Sequence, residues 1–263
     1  MSDNLRNPHS FENLVQTKWK RPQHLSQPKI WFKYNGTVVR DVTPDFDPFV
    51  MDFMQTHFLR DEPINQSLRT ALDPLSVADM RKLWSQVMLP RRVSIVAVQE
   101  GTFGANLDEV DNERPPKIVG VNLLFVSMRG DRPLPINEIF KSDKAKRCVG
   151  TFVLMRGMVD VYEKYQVDLC IDGGGMCVSP EWRGKGIGQM LVTARNNLCK
   201  EMGIPLTKTV FSATQSQKVA VKGGFELLAE RFYADLTEEN GKPLLPNMHP
   251  DQKKMQLMAQ RIK

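Results

Sequence analysis

An α/β fold is the architecture this sequence predicts, and three observations predict it. Strand-like and helix-like runs alternate through the second half of the chain, a glycine-rich turn at 184–188 joins one such strand to one such helix, and 263 residues with 41% apolar content suffice for a buried core. No run of eighteen apolar residues occurs, and the polar start from Met1 to Asn7 lacks the apolar stretch of a secretory signal, so the expected compartment is the cytoplasm, without a membrane partner. Cys148, Cys170, Cys177 and Cys199 show no C-x-x-C spacing and no accompanying histidines; they read as reduced, buried thiols, and no metal is expected.

Residues 1–28 carry few apolar side chains and no periodicity, and are expected to form a flexible extension ahead of a single domain over 29–263. The basic stretch Lys18-Trp19-Lys20-Arg21 within it reads as a solvated tail. Asn35-Gly36 between two β-prone runs predicts a hairpin, because that dipeptide supplies the positive φ angles of a tight turn. Phe46, Phe49, Val50, Phe53 and Met54 recur at helical spacing behind Thr43-Pro44-Asp45. A further helix is expected at 79–87 with Ser76 as its cap, then strands at 93–98 and 117–125 with a surface loop at 100–116 between them. Next come a helix at 149–165, a strand at 167–178 interrupted by Gly173-Gly174-Gly175, a helix at 186–202, a strand at 206–211, a helix at 215–222 and a strand at 225–234. Met255, Leu257 and Met258 among polar residues predict a closing helix at 250–262.

Chemistry is written most densely in Cys177-Val178-Ser179-Pro180-Glu181-Trp182-Arg183-Gly184-Lys185-Gly186-Ile187-Gly188, between a predicted strand and a predicted helix. Glycines there let the backbone present N–H groups to an anion, the helix start adds its positive dipole end, and Arg183 and Lys185 add charge. A P-loop would need Gly-Lys-Ser/Thr, but Gly186 follows Lys185. The dinucleotide fingerprint G-x-G-x-x-G is also missed, since Gly184, Gly186 and Gly188 run G-x-G-x-G.

What remains, R-x-x-G-x-G over Arg183 to Gly188 behind Val178-x-Pro180, resembles the acetyl-CoA diphosphate loop of the GNAT superfamily of N-acetyltransferases. Phe58-Leu59-Arg60-Asp61-Glu62-Pro63-Ile64-Asn65 resembles the Asp-Glu-Pro-Leu-Asn segment of insect-type arylalkylamine N-acetyltransferases, with isoleucine for leucine. Ser212-Ala213-Thr214-Gln215-Ser216, followed by Lys222-Gly223-Gly224-Phe225, resembles that family's serine-containing segment, with Gln215 and Gly223 in place of the usual tyrosine and leucine. Together these matches extend over about residues 30–262. The resemblance implies a mixed, largely antiparallel sheet flanked by helices and splayed beside acetyl-CoA as co-substrate.

It also implies roles. An alkylamine with a pKa near 10 must lose a proton before it attacks a thioester. The family's base is the glutamate of Asp-Glu-Pro, here Glu62, whose reading on chemistry alone is an N-terminal helix cap before Pro63. The pantetheine-facing backbone falls on Met176, Cys177 and Val178, and the diphosphate cradle on Arg183, Gly184, Lys185, Gly186, Ile187 and Gly188. The two serines that ease departure of the thiolate correspond to Ser212 and Ser216, which on chemistry alone read as helix caps. No histidine lies on the 167–178 strand, so the histidine-pair mechanism of the vertebrate enzymes is not expected; His57 reads as structural. A formal net charge of +6 suits a polyphosphate-bearing cofactor as well as nucleic acid or membrane, and the motifs favour the first. The expected reaction moves acetyl to a small arylalkylamine of the dopamine, tyramine, octopamine or serotonin class. The enzyme is expected to be a monomer. A polyamine, an amino acid or a protein N-terminus as acceptor, or a silent acyl-CoA-binding protein, are the alternatives.

Overall fold

A computed structural model describes residues 19–102 and 115–263 of the chain. Eight strands form one sheet: β1 (Ile30–Tyr34), β2 (Thr37–Asp41), β3 (Ile95–Gln99), β4 (Ile118–Met128), β5 (Leu169–Val178), β6 (Leu206–Phe211), β7 (Glu226–Phe232) and β8 (Lys254–Arg261). Their order in the sheet is β1-β2-β3-β4-β5-β6-β8-β7. Neighbours run antiparallel except β5 and β6, which are parallel. The β1–β2 hairpin turns on Asn35 and Gly36 with φ of 47° and 69°, as that dipeptide demands.

Helices cover both faces. On one lie α1 (Asp47–Phe53), α2 (Pro63–Leu68), α3 (Pro74–Leu83), α4 (Asp143–Arg156) and α5 (Val161–Tyr165); on the other lie α6 (Ile187–Glu201) and α7 (Thr214–Lys222). Val50, Met54, Leu59, Trp84 and Leu123 are fully buried in the first core, and Ile95, Leu124, Leu191 and Leu198 in the second. At roughly 25 cal/mol per Å² of apolar area, each such side chain contributes about 1.5–3 kcal/mol. No helix among the described residues is long and apolar enough to cross a membrane.

Four local expectations are corrected. The helix expected at 79–87 starts at Pro74, and its cap is Asp73, whose carboxylate accepts from the Ser76 N–H (3.2 Å) and the Ser76 hydroxyl (2.6 Å). The helix expected at 149–165 is two. Ser142 caps α4, which starts six residues upstream of the expected start, Gly157 follows its last residue, and Asp160 caps α5 by accepting from the Tyr162 and Glu163 N–H groups. The closing segment is strand β8, not a helix. It inserts between β6 and β7, where Met255, Leu257, Met258 and Ala259 are buried, so cross-strand pairing overrides a pattern that reads equally well as helical. Finally, the basic stretch read as a solvated tail is partly anchored: Arg21 pairs with buried Asp41 (2.6 Å) and Leu25 packs into the second core. Asp41 also accepts from the Trp31 indole (2.7 Å), and a buried carboxylate calls for such partners. Residues 1–18 of the expected extension, and most of the loop expected at 100–116, lie outside the described residues.

Candidate active site

The parallel pair β5–β6 is joined at only two positions, Ile171↔Thr207 and Asp172↔Lys208. Beyond Asp172 the strands part, and the backbone of residues 173–178 is left without ladder partners on its β6 side. The β4–β5 register shifts between Leu123↔Gly175 and Leu124↔Gly173, which makes Gly174 a bulge residue. Bare backbone is required at Gly173, where a Cβ would collide with Thr209 Oγ1, whereas one on Gly174 would meet only the flexible end of Met88. A cavity of about 1600 Å³ fills the wedge and runs from the glycine-rich loop past Glu62 to α4.

At one end, the loop delivers the chain into α6. Gly184 and Gly186 have φ of 75° and 83°, and nothing stands within 4 Å of a Cβ built on either; backbone conformation, not crowding, selects glycine. Gly186 is the N-cap of a fifteen-residue helix with no side chain bonded to its first turn, so the N–H groups there are available to an anion. Met176, Cys177, Val178, Arg183, Gly184, Gly186, Ile187 and Gly188 line the cavity. Cys177 offers only its backbone, since its thiol is buried in the first core and pushed up to about 12 by that burial. Arg183 donates to the Val178 carbonyl (3.1 Å) and pairs with Asp61 (2.5 Å), tying the loop to the residue beside Glu62. Lys185 does not itself line the cavity, and its Nζ lies 4.9 Å from the centroid of the Trp182 ring, which does. Lys218 and Lys222 of α7 line the opposite wall, a pair of cations that the sequence reading did not single out.

Midway along the cavity stands Glu62. It caps α2, accepting from the Ile64 N–H (3.1 Å), the Asn65 N–H (2.8 Å) and the Asn65 side-chain amide (2.6 Å). Burial pushes its carboxyl above the usual range, against hydrogen bonding from Ser212, from the Asn65 and Ile64 backbone and from the Asn65 side chain, all of which favour the anion. Glu62 is thus a helix cap whose carboxylate also holds a proton more readily than an exposed glutamate does. The Cys148 thiol beside it is pushed well up, by burial first and by the Glu62 charge second.

Neither serine caps α7, whose N-cap is Ala213 without a side-chain bond. Ser212 and Ser216 both line the cavity, but they differ. Ser212 faces Glu62, whereas the Ser216 hydroxyl donates to the Ala213 carbonyl (2.8 Å). The Tyr233 hydroxyl is committed to the Ser212 carbonyl (2.7 Å). His57 packs against Phe53 with ring centroids 4.7 Å apart and is absent from the lining. The far wall carries Asp172, Arg156 and Lys208, which the sequence reading passed over; the available signal was a charge inside each of two otherwise strand-like runs.

Comparison with known proteins agrees with this geometry. Residues 143–235 match the acetyltransferase (GNAT) domain. The fold superposes on an Aedes aegypti protein described as insect arylalkylamine N-acetyltransferase 7, with 26% identity and a TM-score of 0.81 over 94% of this chain and all of that one. Arylalkylamine N-acetyltransferase 2 of the same mosquito gives 21% and 0.71 over 87% of this chain and all of that one. A Drosophila melanogaster polyamine N-acetyltransferase gives 20% and 0.68 over 86% and 99%. Residues 143–235 therefore carry a GNAT acetyltransferase domain, and the chain is an acetyltransferase that shares its fold with these insect enzymes.

Proposed function

We propose that the protein transfers acetyl from acetyl-CoA to the primary amine of a small arylalkylamine, with Glu62 as general base. The observation that carries this reading is a buried carboxylate, its proton affinity raised, in the same cavity as an uncapped helix N-terminus behind a glycine-rich loop. Acetyl-CoA would supply the activated acyl group. Its diphosphate suits the first-turn N–H groups of α6 with Arg183 beside them, and its pantetheine arm suits the unpaired backbone of Met176 to Val178.

Glu62 does the proton work. An amine with a pKa near 10 arrives mostly as ammonium at neutral pH, and a carboxylate raised above its ordinary range accepts that proton more readily, directly or through one water. Asn65 holds the carboxylate in place with two of its N–H donors. Free N–H groups of the 173–178 backbone face the wedge, where negative charge develops on the carbonyl oxygen. Ser212, which lines the same cavity, would give its hydroxyl proton to the departing thiolate and recover one from the protonated Glu62.

Release of CoA thiol from acetyl-CoA, followed separately with tyramine, dopamine, serotonin, spermidine and a peptide N-terminus, tests the reading. Turnover confined to the arylalkylamines is the expected result. Turnover only with spermidine or the peptide would keep the acetyltransferase and replace the acceptor; saturable CoA binding without turnover of any amine would overturn the proposal.

A further inference from the structure

The wall of the cavity remote from the glycine-rich loop holds a charged cluster that the acetyl transfer described above does not use. Asp172, 1% exposed, accepts from Arg156 Nε (3.1 Å) on one oxygen, and Lys208 Nζ stands 3.6 Å from that same oxygen. Arg156 also donates through Nη2 to the Gly173 carbonyl (2.9 Å). Its Nη1 makes no hydrogen bond among the described residues, and neither does Lys208 Nζ, although the Lys208 side chain is only 9% exposed. The Lys208 stem is buried while its ammonium lines the cavity with no hydrogen-bond partner among the described residues, so its donors are free for whatever occupies that space. Both cations line the cavity, and aromatic rings surround them. The Arg156 guanidinium lies 5.6 Å from the Phe125 ring and 5.9 Å from the Phe152 ring, and Lys208 Nζ lies 5.4 Å from the Tyr162 ring.

Two cations against one carboxylate leave this wall with a net positive charge and with unused donors, although Asp172 Oδ1 is itself buried without a partner among the described residues. A second ammonium, as a polyamine would bring, meets repulsion there. An oxygen acceptor on an aromatic ring finds both a donor and a box of rings. Resting on the arylalkylamine reading above, we infer that Lys208, with Arg156 beside it, is the specificity-determining contact for the acceptor's far end. It selects an aryl ring that carries a hydroxyl oxygen over an unsubstituted ring and over a polyamine. The amine end then points along the cavity toward Glu62.

The test measures kcat/KM for tyramine, phenethylamine and spermidine with the wild-type protein and with Lys208→Met. Wild type should favour tyramine over phenethylamine by at least about 10-fold, as a hydrogen bond to a charged donor allows, with spermidine below both. Lys208→Met should bring the two arylalkylamines to within about 3-fold of one another. Tyramine and phenethylamine turned over equally by wild type, a tyramine preference that survives Lys208→Met, or spermidine as the best acceptor would each overturn the inference. The wild-type comparison decides by itself if the variant does not fold. Equal turnover of the two arylalkylamines strikes this inference alone; turnover of neither strikes the proposed function first.

Discussion

The two ends of the cavity are built by different means. The end proposed for the cofactor is a single stretch of chain from Met176 to Gly188 that offers mainly backbone: a strand unpaired on its β6 side, positive-φ glycines and an uncapped helix start. The end proposed for the acceptor is assembled from side chains on four separate elements, Phe125 of β4, Arg156 of α4, Asp172 of β5 and Lys208 of β6. A backbone-built site tolerates side-chain change and is sensitive to conformation; a side-chain-built site is the reverse. Glu62 lies where the two meet, held by the cap of α2.

That contrast can be broken at several points. Glu62→Gln should lower kcat by on the order of 10² or more at neutral pH while acetyl-CoA affinity holds, measured by single-substrate kinetics alongside CoA titration. Loss of CoA affinity together with kcat would merge the two regions into one. Gly186→Val forces a β-branched residue to φ near 83° at the start of α6, and should weaken CoA binding by on the order of 10-fold or more. Undiminished CoA affinity in that variant would detach the loop from the cofactor.

Smaller effects separate the serines. Ser212→Ala should reduce kcat by up to about 10-fold, and because the Ser212 hydrogen bond favours the Glu62 anion, its removal should move the acid limb of the pH–rate profile to higher pH. Ser216→Ala, whose hydroxyl is already spent on the Ala213 carbonyl, should change kcat by less than about 3-fold. A larger loss at Ser216 than at Ser212 would reverse the assignment of the thiol donor.

The same contrast explains how much was legible in the sequence. Arg183 to Gly188 and Asp61 to Asn65 are contiguous, and their chemistry depends on local backbone geometry, so residue types at fixed spacing announce it. The splay that opens the wedge was expected from the resemblance, and it begins at the run Gly173-Gly174-Gly175, where β5 also bulges against β4. Lys208 and Arg156 acquire meaning only when the sheet brings 156, 172 and 208 to one carboxylate oxygen, a juxtaposition that no local spacing encodes. The β8 segment was misjudged for a related reason. Its burial is set by β6 and β7 on either side, and Met255, Leu257 and Met258 satisfy a helical pattern until those neighbours are known. Glu62 shows the opposite case: read locally it is a cap, and it is a cap, yet the same carboxylate lines the cavity, where the proposed reaction would give it a second use.

The pH dependence of kcat for wild type and Glu62→Gln, with tyramine as acceptor, addresses the central claim most directly. With Glu62 as base, wild-type kcat falls as pH drops through an apparent pKa above the ordinary glutamate value of 4.5, and the variant lacks that limb. The same acid limb in both proteins would contradict the account, since the titrating base would then be another group.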